Sequence, residues 1–514
     1  MSVADLVRQS EQIAEEMDGV VETIDSIENQ AIADSAWYRL CSVNVMVRDE
    51  GGGAIAASIA RSLLEQAAFW DWAAAFGVGG AHVGMWAALE YSGLRELADK
   101  IGDATWLGWV LPPGVEISAP AGPAIPRNAS DAVKRLGHGL DRGALAPLQL
   151  TAVGAVHRML GVLAHSNLVG AALVSDGGGR QLPERLAAIV VHVAATSASA
   201  VAASVATTDP RIGSLQTRAR DLADAAAEIH GLEMDAPVKT QRPAKATRGT
   251  FLSVGSSIDR MPSASEDVTQ AGLNFLEAAD ELTQLVLTRE NQPRDGGALV
   301  AMRTYLLSLS HLDVFRGTLD GRLGRALLPF AARALLEEGT RWEWLQQSSA
   351  TNPAGDSLRA LVADSMTQRE RIRSGLISDG VSADVISDLL GPAEEIELPA
   401  LRSVSLPNLD DLLSMTYLNG SGVESARPMY ALLTQFVHAT PLSLLHIQRD
   451  ILPSLSAPMW AVSVEAACRG FQRIAAVSIL LADIKPEPLM PALSKIKVSA
   501  DNAASVCTAY HFLG

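Results

Sequence analysis

Residues 61–72 read RSLLEQAAFWDW, and residues 333–344 read RALLEEGTRWEW. Arg, Leu, Leu, Glu, Trp and Trp recur at six of the twelve positions, and Asp71 and Glu343 both place an acid between two tryptophans. The match continues at nearly constant spacing. His165, in RMLGVLAHSN, lies 273 residues before His438, in ALLTQFVHAT. At that spacing Leu182–Val205 overlies Leu455–Ser478, both apolar, Ala-rich and helical in pattern. Upstream, Tyr38-Arg39-Leu40-Cys41-Ser42 resembles Tyr305-Leu306-Leu307-Ser308-Leu309, and Glu28-Asn29-Gln30 resembles Glu290-Asn291-Gln292, with small insertions shifting the offset. A long-period match of this kind reads as a tandem duplication.

Helical periodicity fills both copies. Val3–Ser26 carries Leu6, Ile13, Val20, Val21 and Ile24 on one face with acids elsewhere, and Asp267–Arg289 repeats the pattern through Leu273, Phe275, Leu276, Leu282 and Leu285. Pro183 suits the first turn of a helix after the break at Asp176-Gly177-Gly178-Gly179. Each copy has one irregular stretch between its Trp helix and its His helix. The first is Val110–Asn128, with five prolines, and the second is Leu390–Asn408. Proline breaks a continuous helix there and leaves room for a short extended piece at most. The expected fold is all-α: two homologous helical bundles packed as a pseudo-dimer, residues 1–232 and 267–514. Residues 233–266 join them as a linker rich in Pro and Ser that carries the basic run Lys239, Arg242, Lys245 and Arg248.

Composition narrows the function classes. The 514 residues are 48% hydrophobic, enough for a sizeable core, and carry a net charge of −17, which disfavours broad binding to a phosphate backbone. Cys41, Cys468 and Cys507 are too scattered for a disulfide framework or a zinc site and are expected as reduced thiols. Leu186–Thr208 runs 23 residues without Asp, Glu, Lys or Arg, long enough to cross a bilayer. Its counterpart carries Glu465, Arg469 and Arg473, so a buried soluble helix is expected instead. The start, Met1-Ser2-Val3-Ala4-Asp5, lacks the basic and apolar pattern of a signal peptide, and a cytoplasmic location is expected. Gly51-Gly52-Gly53 and Gly177-Gly178-Gly179-Arg180 lack the flanks of a phosphate loop, and no metal or hydrolase motif occurs, so neither cofactor nor metal is expected.

The polar residues kept by both copies are the candidates for chemistry: Arg61 and Arg333, Glu65 and Glu337, Asp71 and Glu343, His165 and His438. Arg and Glu four residues apart share a helix face and can pair, and the Glu can also accept from the His of the later helix. Two roles fit. One is a buried Arg–Glu–His network that fixes helix packing. The other is a pocket where His moves protons and Arg steadies an anion. The tryptophans are expected to anchor packing.

The R-[SA]-L-L-E run with its Trp-rich turn, followed by a helix that ends in His and a small residue, resembles HEPN-like helical domains. More narrowly it resembles a bacterial domain family of unknown function related to them. The resemblance implies four-helix-bundle-like units that pair, a stress or phage-defence setting, and in many members ribonuclease activity from an Arg and a His a few residues apart on one helix. Arg158 and His165, with six residues between them, match that spacing. By the resemblance Arg158 would position phosphate and His165 would transfer the proton in metal-independent RNA cleavage. Two departures stand out: Ala431 faces Arg158 at the 273-residue offset, and Met159 replaces the usual polar residue after the motif Arg. The expected function is therefore a non-catalytic helical interaction or regulatory protein with a protein partner. The alternative is a HEPN-like ribonuclease using Arg158 and His165.

Overall fold

The computed structural model describes residues 1–25, 27–48, 52–75, 91–109, 152–165, 181–206, 208–232, 266–287, 296–349, 354–390, 406–416, 426–438, 454–481 and 487–511, with a few isolated positions between them. The basic run of the linker, the Gly177-Gly178-Gly179-Arg180 stretch, Val110–Asn128 and most of Leu390–Asn408 lie outside the described residues.

The fold is all-α. The helices before the linker include α1 (Val3–Val21), α2 (Ile27–Arg48), α3 (Gly53–Ala75), α4 (Val153–Ala164), α5 (Glu184–Val205) and α6 (Ile212–His230), with a further helical run at 91–101. After it come α7 (Glu266–Leu287), α8 (Gly296–Leu319), α9 (Leu328–Ser349), α10 (Ala354–Ser378), α11 (Ala383–Leu390), α12 (Leu409–Met415), α13 (Ala426–Val437), α14 (Ala457–Leu481) and α15 (Met490–His511). Strand pairing among the described residues is confined to a two-residue antiparallel ladder, Ile447–Gln448 against Ser454–Leu455.

Local chemistry explains where these helices start and which face they bury. Ser2 caps α1: its hydroxyl accepts from the Asp5 amide at 3.3 Å, and its own amide donates to the Asp5 carboxylate at 2.9 Å. That reciprocal pair satisfies two amides a helix start otherwise leaves bare. Leu6, Ile13, Met17 and Val20 then face the core, as the periodicity requires. Pro183 stands at the N-cap of α5.

Helix α5 is the axis of the first half and packs against α1, α2, α3 and α6. Every residue from Leu186 to Ala203 is buried. Its run of Ala, Ser and Val lets four neighbours approach closely, and Thr196 satisfies its hydroxyl on the His192 carbonyl at 2.7 Å. By length and hydropathy this helix is apolar enough to cross a membrane, and its most apolar window lies wholly inside the protein. Helix α14 is placed likewise, against α7, α8, α9 and α15. It meets α9 at a glycine crossing. A Cβ on Gly339 would lie 2.5 Å from the Gly470 carbonyl oxygen and 2.9 Å from its Cα.

The apolar residues of both halves form one continuous core. Helix α3 touches α8, α9 and α13, and α4 lies against α10. Tyr38 of α2 lies against Gly324, where a Cβ would collide with its ring. Arg39, also of α2, donates to Gln66 at 3.2 Å and to the Phe436 carbonyl at 3.3 Å. Trp70 and Trp342 are buried, as packing anchors should be; the Trp72 side chain lies outside the described residues. All three cysteines are free, with Cys468 and Cys507 buried.

Candidate functional site: a crossed Arg–Glu–His network

Where α3 and α9 meet, two fully buried carboxylates, Glu65 and Glu337, stand one helical turn beyond Arg61 and Arg333. His165 follows the last residue of α4 and His438 the last of α13, so each ring is carried at a helix C-terminus. Sequence reasoning expected each Glu to meet the His of its own half. The structure crosses them. His165 Nδ1 lies 3.0 Å from Glu337, and His438 Nδ1 lies 2.6 Å from Glu65. The reason is packing order. Helices α3 and α9 abut, so the C-terminal end of each His helix reaches past its own Trp helix to the other's carboxylate.

The remaining partners complete each carboxylate. Arg61 Nε donates to Glu65 Oε1 at 3.1 Å, and His157 Nε2 donates to the same oxygen at 2.6 Å. Glu337 accepts from Arg341 at 2.7 Å and from the Tyr430 hydroxyl at 3.1 Å, and that hydroxyl accepts from Arg333 at 2.7 Å. Arg333 pairs with Glu337 only loosely, at 4.0 Å, and its guanidinium lies over the Tyr430 ring. His157, Tyr430 and Arg341 were not singled out from the sequence. One signal was present: Tyr430 lies 273 residues after His157, the same offset that relates the two end-of-helix histidines.

Both ring nitrogens of His165 are engaged: Arg61 Nη1 donates to its Nε2 at 3.1 Å, and its Nδ1 faces the Glu337 carboxylate at 3.0 Å and Arg333 Nη2 at 3.2 Å. Arg341 donates to the His165 carbonyl at 2.9 Å and pins the helix end. Burial pushes the His165 pKa down to about 4, against the pull of Glu337 and with Arg333 and Arg61 adding to the fall. Burial alone would raise both carboxyls. His438 and Arg61 hold Glu65 well below the usual range, and His165 and Arg341 hold Glu337 at about 2. Both carboxylates are therefore ionised while His165 is neutral at pH 7.

His165 is not sealed. Its side chain is 30% exposed and forms part of the wall of a cleft of about 220 Å³ that Arg158, Arg61 and His157 also line. Arg158 itself donates across this cleft to the Arg371 carbonyl of α10 at 3.0 Å. Thus Arg158 and His165 share one wall, while Arg333, Glu337 and His438 lie in the network behind or beyond it. Among the described residues no group of three or more His, Cys, Asp or Glu could hold a metal.

A histidine pair elsewhere, His192 and His230, is fully buried and bears on how the protein responds to acid. His192 and His230 stack with centroids 5.2 Å apart. The Leu232 amide donates to His230 Nδ1, so His230 Nε2 donates to His192 Nδ1 at 2.9 Å, and His192 Nε2 donates to the Leu148 carbonyl at 2.7 Å. That chain works only with both rings neutral. Burial lowers His192 to about 4, and His230 and His311 to about 3. A histidine lowered in the folded state adds stability above its ordinary value of 6.5 and loses it as pH falls toward 4. Buried Glu338 and Glu465 act oppositely. Burial raises them to about 7 and about 8, so their contribution fades as pH climbs from 4.5. Between 4.5 and 6.5 the histidines outnumber the two acids; above 6.5 only the acids still titrate. Unfolding free energy from denaturant titrations is expected to peak near pH 6.5 and fall toward pH 5 and pH 8. A maximum at pH 5 would contradict these neutral buried histidines.

The fold and site define an all-helical protein built around a buried, crossed Arg–Glu–His network. No family model, curated protein or solved structure matches the chain.

Proposed function

We propose that the chain is a non-catalytic regulatory or interaction protein, a tandem duplication of a HEPN-like helical unit packed as a pseudo-dimer. The observation that carries this is the crossing itself: each end-of-helix histidine sets its Nδ1 within hydrogen-bond distance of the buried glutamate of the other half. Reciprocal exchange between equivalent elements is what a two-fold interface produces. The packing supports it, since α5 takes α1, α2, α3 and α6 as neighbours and α14 takes α7, α8, α9 and α15. In this reading the residues that serve catalysis in a nuclease serve as a clamp between halves. The HEPN-like ancestry carries with it the stress or phage-defence setting and a protein partner.

Ribonuclease activity is the second reading, favoured by Arg158 and His165 lining the same cleft. Against it, the Nε2 lone pair that would take a proton already accepts from Arg61 at 3.1 Å. The discriminating experiment is metal-free incubation of single-stranded RNA with the wild type, His165→Ala and His438→Ala, with circular dichroism on each. We expect intact RNA throughout and lowered stability in both variants. Cleavage by the wild type that disappears in a folded His165→Ala protein would replace this reading with the nuclease.

A further inference from the structure

The cleft between α4 and α10 has a composition that the clamp does not require. Arg61 forms part of its floor, Arg158 one wall, and Arg371 with Gln368 the opposite wall, contributed by α10 from the other half. Among the described residues no carboxylate lines it. Asp364, which accepts from Gln368 at 2.8 Å, stands outside the lining. Arg61 is neutralised by Glu65. Arg158 and Arg371 are not: among the described residues neither guanidinium meets a carboxylate, and Arg158 spends one N–H on the Arg371 carbonyl. That bond holds the two arginines on facing helices of one small concavity.

We infer that this cleft binds a small phosphomonoester, its dianionic phosphoryl group held between Arg158 and Arg371 with Arg61 beneath. Two unpaired guanidiniums match two negative charges, and guanidinium forks suit phosphate oxygens. About 220 Å³ accommodates a phosphoryl group with a pentose and little more. A polyanion is disfavoured as the occupant by the net charge of −17. Gly161 keeps the floor open, since a Cβ there would stand 3.1 Å from Arg61 Nη1. At the 273-residue offset the other half has Thr434 in place of Gly161 and Ala431 in place of Arg158, so the duplicated fold keeps these elements once. The occupant would bridge α4 and α10, helices from opposite sides of the linker, and so add to the cross-linker contacts that the crossed pairs make elsewhere. This inference rests on the non-catalytic reading and names the ligand through which such a protein is regulated.

The test is calorimetric titration of the full-length protein at low ionic strength with ribose 5-phosphate, inorganic phosphate and unphosphorylated ribose. Saturable binding of ribose 5-phosphate is expected, with none of ribose. Inorganic phosphate should compete for the same site. Arg158→Ala and Arg371→Ala, both at exposed positions, should each weaken binding by about tenfold or more at unchanged melting temperature. Binding of inorganic phosphate alone, sensitive to the same variants, would support the anion site and identify free phosphate as its source. Absence of saturable binding, or binding that Arg371→Ala leaves unchanged, would overturn the inference and leave the clamp untouched. RNA cleavage lost in Arg158→Ala would instead end the non-catalytic reading while phosphate binding still stood.

Discussion

Glu337→Ala is expected to lower the unfolding free energy by about 3–5 kcal/mol, the range for removing one partner of a buried charge pair. The reason is what remains behind. Arg341, 2.7 Å from the lost carboxylate, keeps only Glu338 and the His165 carbonyl, and Tyr430 loses its acceptor. A buried ion pair adds little to stability over an apolar substitute, because desolvation offsets attraction, but a buried cation without its anion is strongly unfavourable. Glu65→Ala should behave the same way, stranding Arg61, His157 and His438. The control is Glu11→Ala. Glu11 pairs with Arg48 at 3.0 Å with 37% and 56% of the two side chains exposed, so water can replace it and the loss should stay at about 1 kcal/mol or less. Denaturant titrations of the three variants check this. Equal losses in all three would mean that burial of the network carries no special weight.

Gly470→Ala is expected to cost about 3 kcal/mol or more, a large penalty for a single methyl. An alanine in a helix interior ordinarily stabilises relative to glycine by up to about 1 kcal/mol. Here the added Cβ would stand 2.6 Å from the Leu336 amide nitrogen and closer still to the Leu335 carbonyl. These are backbone atoms, with no rotamer to move aside, so α9 and α14 must separate along their whole contact. Gly213→Ala is the matched control: it sits in a helix with open space at its Cβ and should leave stability unchanged or slightly raised. Melting curves of the two variants decide it. A Gly470→Ala protein as stable as the wild type would show that the crossing is looser than its geometry.

Much of the helical framework was legible in the sequence because it rests on local rules. The apolar face of α1 and a helix start at Pro183 follow from spacing and turn chemistry alone, although the expected helix ran to Ser26 and α1 stops at Val21. Arg61–Glu65 and Arg333–Glu337 were legible as pairs because four residues bring side chains together on any helix. The crossing was not legible. Which glutamate a distant histidine meets depends on how α3 and α9 abut, a packing outcome that no periodicity encodes. Arg371 and Gln368 were missed for the same reason. They lie on an unremarkable amphipathic helix and gain meaning only because α10 settles against α4. His157 and Tyr430 occupy an intermediate position: their shared offset was visible, but two different residue types hide a common role as donors to a carboxylate.

A double-mutant cycle on His438 and Glu65 tests the exchange between halves most directly. The two residues are 373 positions apart in sequence and 2.6 Å apart in the fold. His438→Asn, Glu65→Gln and the double variant should unfold with a coupling energy of about 1 kcal/mol or more, as expected for residues that share a buried hydrogen bond. Additive losses, with coupling near zero, would mean that the two side chains do not meet and that the halves are held together by something else.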